Sequence, residues 1–410
     1  MTGPLISKRL VFHFGGYHPD MPPEISHRRF ARELSRFEKT WSAKASVSPA
    51  IIDADKAIWD VTTTGPNWRV DSRHCLARWD DLVETFARQP QWRRIPLGQL
   101  AFLDFAMTGT LWRYFRANWR YALFFLYPFL IFDAFVVAAW FAGGFFARAT
   151  DALPIGIAAG LLIFVALMRG PGRWFKLGTL FDDWIFSRAY IREKDSILER
   201  RLDTFASQIV AAVRRSDCDE IVVIGHSLGA VLAVDVLDRA LKLGAAPGKG
   251  TAKVTFVSIG SSILKIGLHP RAARFRAALE HVAMTPGLFW GEYQARTDVM
   301  NFYKTDPMRE MGLKSNGGPV VRLVKLREML EPATYRRIQH NFYRVHCQFV
   351  SGNDRRNAYD YFMLLCGPLS IERQINLPNG AASSIDANGA LFAAPSYEDR
   401  APEPAFAVQQ

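Results

Sequence analysis

Apolar and polar positions fall into two rhythms along this chain, and a third region has almost no polar positions. Short β-prone runs bounded by Gly, Pro or charged residues read as buried strands at residues 9–14, 57–63, 220–224, 253–259, 299–303 and 341–346. Apolar residues recurring every three to four positions predict helices at 24–41, 196–215 and 228–243. Alternation of such strands with helices predicts an α/β fold with a mostly parallel sheet flanked by helices.

The polar rhythm stops at residue 121. Residues 121–146 carry one charged side chain, Asp133, and a second apolar run, 152–168, follows a very short link. Each is read as a helix crossing a hydrocarbon core of roughly 30 Å, the two forming an inserted transmembrane hairpin. Asp133 opposes insertion by about 2.5–3.5 kcal/mol, and a dozen Leu, Ile, Val and Phe outweigh it with on the order of 5 kcal/mol. The alternative is a pair of core helices or an apolar lid. Arg113, Arg116 and Arg120 precede the pair and Arg169, Arg173 and Lys176 follow it, whereas the turn holds only Arg148 and Asp151. The positive-inside rule then places both ends in the cytoplasm, at an inner membrane. Gly156 and Gly160 form a GxxxG spacing, which leaves homo-oligomerisation through the hairpin open. The chain divides accordingly into residues 1–111 and 177–371, two parts of one domain, with the hairpin at 112–176 between them. Beyond residue 372 small residues and Pro without an apolar period predict a disordered tail, 372–410.

Composition changes this picture little. Hydrophobic residues make up 49% of 410, and the formal net charge of +12 would suit an anionic membrane surface or nucleic acid. The chain has no zinc pattern, recognition helix or RNA-binding signature, so nucleic acid is set aside. Cys75, Cys218, Cys347 and Cys366 lack metal-ligand spacing and read as reduced thiols; no metal or cofactor is expected.

Chemistry enters at "IVVIGHSLGAVLAVDVL", residues 221–237. GxSxG by itself is a common pattern, but here it joins a β-prone run to a helix that opens with small residues. A serine on so tight a turn is held strained with its hydroxyl exposed. At this motif the chain resembles the α/β-hydrolase family, in its lipase and esterase branch, and more narrowly bacterial membrane-anchored hydrolases. The resemblance covers residues 7–64 and 191–368.

It implies Ser227 as nucleophile, followed in chain order by an acid and a histidine. Sites in open parallel sheets lie beyond the carboxyl ends of the strands. If residues 299–303 form a strand, Asp298 enters it and Asp306 leaves it, which selects Asp306 as the acid. His340 and His346 follow; His346, at the carboxyl end of its expected strand, is the base. Asp306-Pro307 as a plain turn and His346 as a core residue are the bland alternatives. His226 is expected to point away. The resemblance further implies an oxyanion hole from the Leu228 N–H and from the loop "FHFGGYHP", with Gly16 as donor, although Phe14 stands where the family more often has His and the Gly pair also suits an ordinary turn. The resulting expectation is a membrane-anchored serine hydrolase cleaving acyl esters, lipid-derived on grounds of location. The alternative is a non-catalytic membrane anchoring or scaffold protein retaining the fold.

Overall fold

The computed structural model describes residues 5–19, 21–192, 196–248 and 252–392. Nine strands form one sheet: β1 (Lys8–Phe14), β2 (Lys44–Val47), β3 (Ile51–Ile52), β4 (Lys56–Thr64), β5 (Arg69–Ala77), β6 (Glu220–His226), β7 (Lys253–Ile259), β8 (Leu288–Ala295) and β9 (Val320–Val324). Their order is β2-β4-β5-β1-β6-β7-β8-β9, with β3 also on β4. From β5 to β9 neighbours run parallel, whereas β4 is antiparallel to β2, β3 and β5. The sheet is therefore mixed rather than mostly parallel. The antiparallel edge comes from hairpin-connected strands between residues 44 and 77, of which the apolar pattern predicted one.

The helices are α1 (Pro23–Trp41), α2 (Asp80–Ala87), α3 (Gln91–Met107), α4 (Thr110–Ala117), α5 (Trp119–Thr150), α6 (Leu153–Arg169), α7 (Pro171–Trp174), α8 (Leu177–Arg192) and α9 (Ser196–Arg215) before β6. After it come α10 (Gly229–Lys242), α11 (Ile263–Gly267), α12 (Ala273–Met284), α13 (Pro307–Met311), α14 (Leu326–Met329), α15 (Pro332–Ile338), α16 (Phe342–His346), α17 (Tyr361–Cys366) and α18 (Ile371–Asn376). Strand side chains alternate between the two faces. Phe12, Phe14, Ile221 and Val223 meet α9, α10 and α12; Val11, Val222 and Ile224 meet α1 and α17. Arg9 is fully buried at the junction, bonded to Glu220 (2.9 Å) and to the carbonyls of Gly367 and Leu369 (both 2.8 Å). A buried charge is tolerated when it is paired and each guanidinium nitrogen has an acceptor.

Two helices, Trp119–Thr150 and Leu153–Trp174, are long and apolar enough to cross a membrane. They differ in surroundings along their length. The first turns of α5 are buried: Tyr121, Phe125 and Phe129 pack with Phe105, Phe181 and Trp184 in a third core. Beyond them Phe132, Phe135 and Ala139 remain buried, while other apolar side chains face outward, Trp140 being 79% exposed and Leu162 69%. Asp133 is also exposed, on the face shared with Val136, Val137 and Trp140. The GxxxG stripe is used within the pair: a Cβ at Gly156 would lie 2.6 Å from the Gly143 carbonyl, and one at Gly160 3.0 Å from that of Ala139.

Three further expectations are corrected. Residues 299–303 are not a strand: Asn301 folds the segment into a turn by donating to the carbonyls of Ala295 (2.9 Å) and Asp298 (2.6 Å). The strand there is β8, eleven residues earlier at its start, masked in the sequence by Glu292 and Gln294. These polar groups are buried but bonded, Glu292 accepting from Ser258, Ser261 and Gln294. Residues 341–346 form not a strand but α16, capped by the Asn341 side chain on the Arg344 N–H (3.0 Å). Residues 372–392 of the expected disordered tail are folded: Ile375, Ala381 and Ile385 enter the core, and Trp68 donates to the Gly389 carbonyl (2.8 Å). Single apolar anchors and backbone bonds do this work, so no periodicity betrays it. The remainder of that tail lies outside the described residues.

Candidate active site

The carboxyl ends of β1, β5, β6, β7 and β8 lie along one edge of the sheet. Ser227 follows β6 there with φ +55°, in the left-handed region that a non-glycine residue rarely adopts. Bonds on both sides hold it: its N–H donates to the Ile259 carbonyl, and its carbonyl accepts from Ala230 and Ser262 (3.1 Å each). The flanking glycines are needed for closure. A Cβ at Gly225 would lie 2.3 Å from the Ala230 Cα, and one at Gly229 2.1 Å from the Phe14 carbonyl oxygen. Helix α10 can therefore sit against both β6 and β1, with Ser227 half-exposed above the sheet.

His346 arrives from a separate element, the end of α16. Its Nδ1 donates to Asp298 Oδ2 at 2.7 Å, and both side chains are buried. Asp298 lies three residues past the leaving end of β8, and its Oδ1 accepts from the Met300 N–H (2.9 Å). With Nδ1 protonated toward the carboxylate, Nε2 carries the free lone pair. That nitrogen is buried with no hydrogen-bond partner among the described residues. His346 and Ser227 line the same pocket, which also includes Gly15, Gly16 and Tyr17.

Asp306 is not the carboxylate that meets His346. It caps α13, its Oδ1 accepting from the N–H groups of Met308 (2.9 Å) and Arg309 (3.2 Å). Asp298 lies beyond the carboxyl end of a strand once that strand is β8 and not residues 299–303. His226 is a second correction, since it does not point away. It lines the pocket, packs its ring 4.5 Å from that of His346, and its Nε2 lies 3.3 Å from the His346 carbonyl. Burial and the neighbouring His346 hold it well below the usual histidine range, so it acts as a neutral prop.

Gly16 sits where a Cβ would be 3.0 Å from the Ser227 Cβ. Its loop is fixed by Trp79, which donates to the Gly15 carbonyl (3.1 Å), and by Tyr17, whose hydroxyl donates to Val83 (3.3 Å). Leu228 stands at the start of α10, where an N–H has no preceding helical carbonyl to reach. Gly16 and Leu228 thus flank Ser227 on two sides. Gly260, at φ +50°, leaves room for the His346 ring: a Cβ there would be 3.1 Å from Cε1.

The pocket holds about 1070 Å³ of atom-free space, partly open to solvent, and its lining is largely apolar, including Met21, Phe30, Val83, Met300, Tyr343 and Val350. Among the described residues no group of three or more His, Cys, Asp or Glu could hold a metal ion. The chain matches no family model, no curated protein and no solved structure.

Proposed function

We propose that the protein is a membrane-anchored serine hydrolase that cleaves acyl esters. Ser227 attacks the ester carbonyl, His346 Nε2 takes its proton and returns it to the leaving alcohol, and Asp298 holds the imidazole in the required tautomer. The Leu228 and Gly16 N–H groups meet the charge that develops on the carbonyl oxygen; such donors contribute about 2.7–4 kcal/mol each. Water then repeats the sequence on the acyl-enzyme.

One observation carries this reading: a serine in a strained left-handed turn opens onto the same pocket as a histidine already oriented by a buried carboxylate. Structural turns seldom place all three together, and the chain order Ser, Asp, His is that of the α/β hydrolases. The largely apolar lining suits an acyl chain, and two helices of membrane-spanning length and composition support a lipid-derived substrate. The Arg residues at the root of the hairpin favour a cytoplasmic face for the site.

A fluorophosphonate probe tests the proposal directly. It should label the wild-type protein in membranes and fail to label Ser227→Ala. Equal labelling of both would remove Ser227 as nucleophile, and no labelling of either would favour a scaffold.

A further inference from the structure

The pocket beside Ser227 carries hydrogen-bond donors that the proposed ester hydrolysis does not use. His13, two residues before Gly15, shares its face of the sheet with Val11 and lies under α1. Its Nδ1 is 3.0 Å from the Tyr361 hydroxyl. Burial raises the Tyr361 pKa far above its ordinary value, so this hydroxyl keeps its proton and is able to donate it to Nδ1. In the tautomer that accepts this bond the imidazole proton sits on Nε2, which is buried without a partner among the described residues. Burial and the Arg29 charge hold the His13 pKa down at about 4, so the ring is a neutral donor at physiological pH.

Arg29 lines the same pocket from α1. Its Nη2 donates to the Cys347 carbonyl (3.0 Å) and Ser351 Oγ (2.7 Å). Among the described residues no carboxylate pairs with it; its guanidinium also reaches the Cys347 side chain, and a five-donor fork has capacity beyond these contacts. Trp59, also lining the pocket, has a buried Nε1–H with no partner. The carboxylate in the lining, Asp80, is engaged by Arg78 at 3.2 Å. A cation and two neutral donors, set in an apolar wall, call for an acceptor-rich anion.

We propose that the pocket selects acyl esters that carry a phosphate group, with Arg29 and the His13 Nε2–H holding that group while the acyl chain lies on the apolar lining. The proposal rests on the hydrolase reading and narrows its substrate class.

The test compares lysophosphatidic acid with monoacylglycerol of the same acyl chain, using the full chain in detergent micelles. Wild type should favour the phosphate ester in kcat/KM. Arg29→Gln should lower that value about 10- to 100-fold, mainly through KM, as expected for loss of a charge-assisted bond. Monoacylglycerol turnover should stay within about threefold, and Arg29→Lys should recover part of the loss. His13→Phe should show a smaller loss of the same selectivity. Inorganic phosphate should compete with monoacylglycerol in wild type and not in Arg29→Gln; competition without preference for the phosphate ester would mean a free-phosphate site and overturn the substrate claim. Equal loss on both esters would reduce Arg29 to a brace for Cys347 and Ser351, and no loss on either would also overturn the proposal. If no serine-dependent turnover or probe labelling occurs, the hydrolase reading fails. Arg29-dependent equilibrium binding of lysophosphatidic acid then decides the anion site by itself.

Discussion

Ser227 and the Asp298–His346 pair reach the same pocket but are held by different means. The serine is fixed by backbone: a left-handed residue wedged between β6, β7 and α10, with glycines on either side that admit no Cβ. Asp298 and His346 sit on a turn and a five-residue helix, and both lean on the root of α5. Tyr121 stacks on Phe302 with ring centroids 3.9 Å apart, Asn118 donates to the Tyr303 carbonyl (2.9 Å), and Arg120 donates to that of Arg296 (2.6 Å). Phe342, at the start of α16, packs on Phe124 and Tyr127 at 5.6 and 5.9 Å. Ser227 therefore belongs to the sheet, whereas the Asp298–His346 pair leans on the root of the apolar hairpin.

Breaking the backbone side should have the largest effect. Gly225→Ala or Gly229→Ala forces a methyl into main-chain atoms, and either should cost about 4 kcal/mol or more, enough to abolish folded protein in denaturant melts. On the other side, Asp298→Asn should preserve the fold yet lower ester turnover by about 10⁴, because the imidazole loses its enforced tautomer. Asp306→Ala should leave turnover within a fewfold and cost about 1 kcal/mol as a lost cap. Similar turnover for these two variants would break the assignment.

Sequence patterns resolved these two sides unequally, for a physical reason. The turn after β6 needs particular residue types at fixed spacing, so Gly225, Ser227 and Gly229 announce it. Asp298 and His346 meet only through tertiary packing, and the apolar residues near them, Val299, Phe302 and Phe342, serve the hairpin root rather than a strand. Their β-like composition was legible and their neighbours were not. Likewise, helices with strong amphipathic faces, such as α9, stand where the periodicity puts them. Strand β8 was hidden because its polar residues are satisfied by one another.

Two smaller effects sharpen the comparison. Phe342→Ala removes a half-buried contact with α5; it should slow ester turnover about 10- to 100-fold while costing only about 1 kcal/mol of stability. An unchanged rate would separate the base from the hairpin. The mildest effect is on pH. Burial depresses His13 to about 4 and His74 to about 3, so the unfolded chain takes up protons first as pH falls. Their contribution is complete above about pH 6.5 and is lost progressively toward about pH 4 for His13 and about pH 3 for His74. Denaturation midpoints should fall across that window, and both imidazoles should stay neutral in NMR titrations until its lower end.

The buried Arg9 joins strands 211 residues apart to a carbonyl pair near residue 368. On the ribosome, Arg9 must wait for more than half of the chain before Glu220 exists and for most of it before the carbonyl pair does. At about 5–20 residues per second the apolar hairpin emerges well before its flanking halves can close. The apolar pair is thus exposed first, and the fold that carries Ser227 is completed afterwards around it.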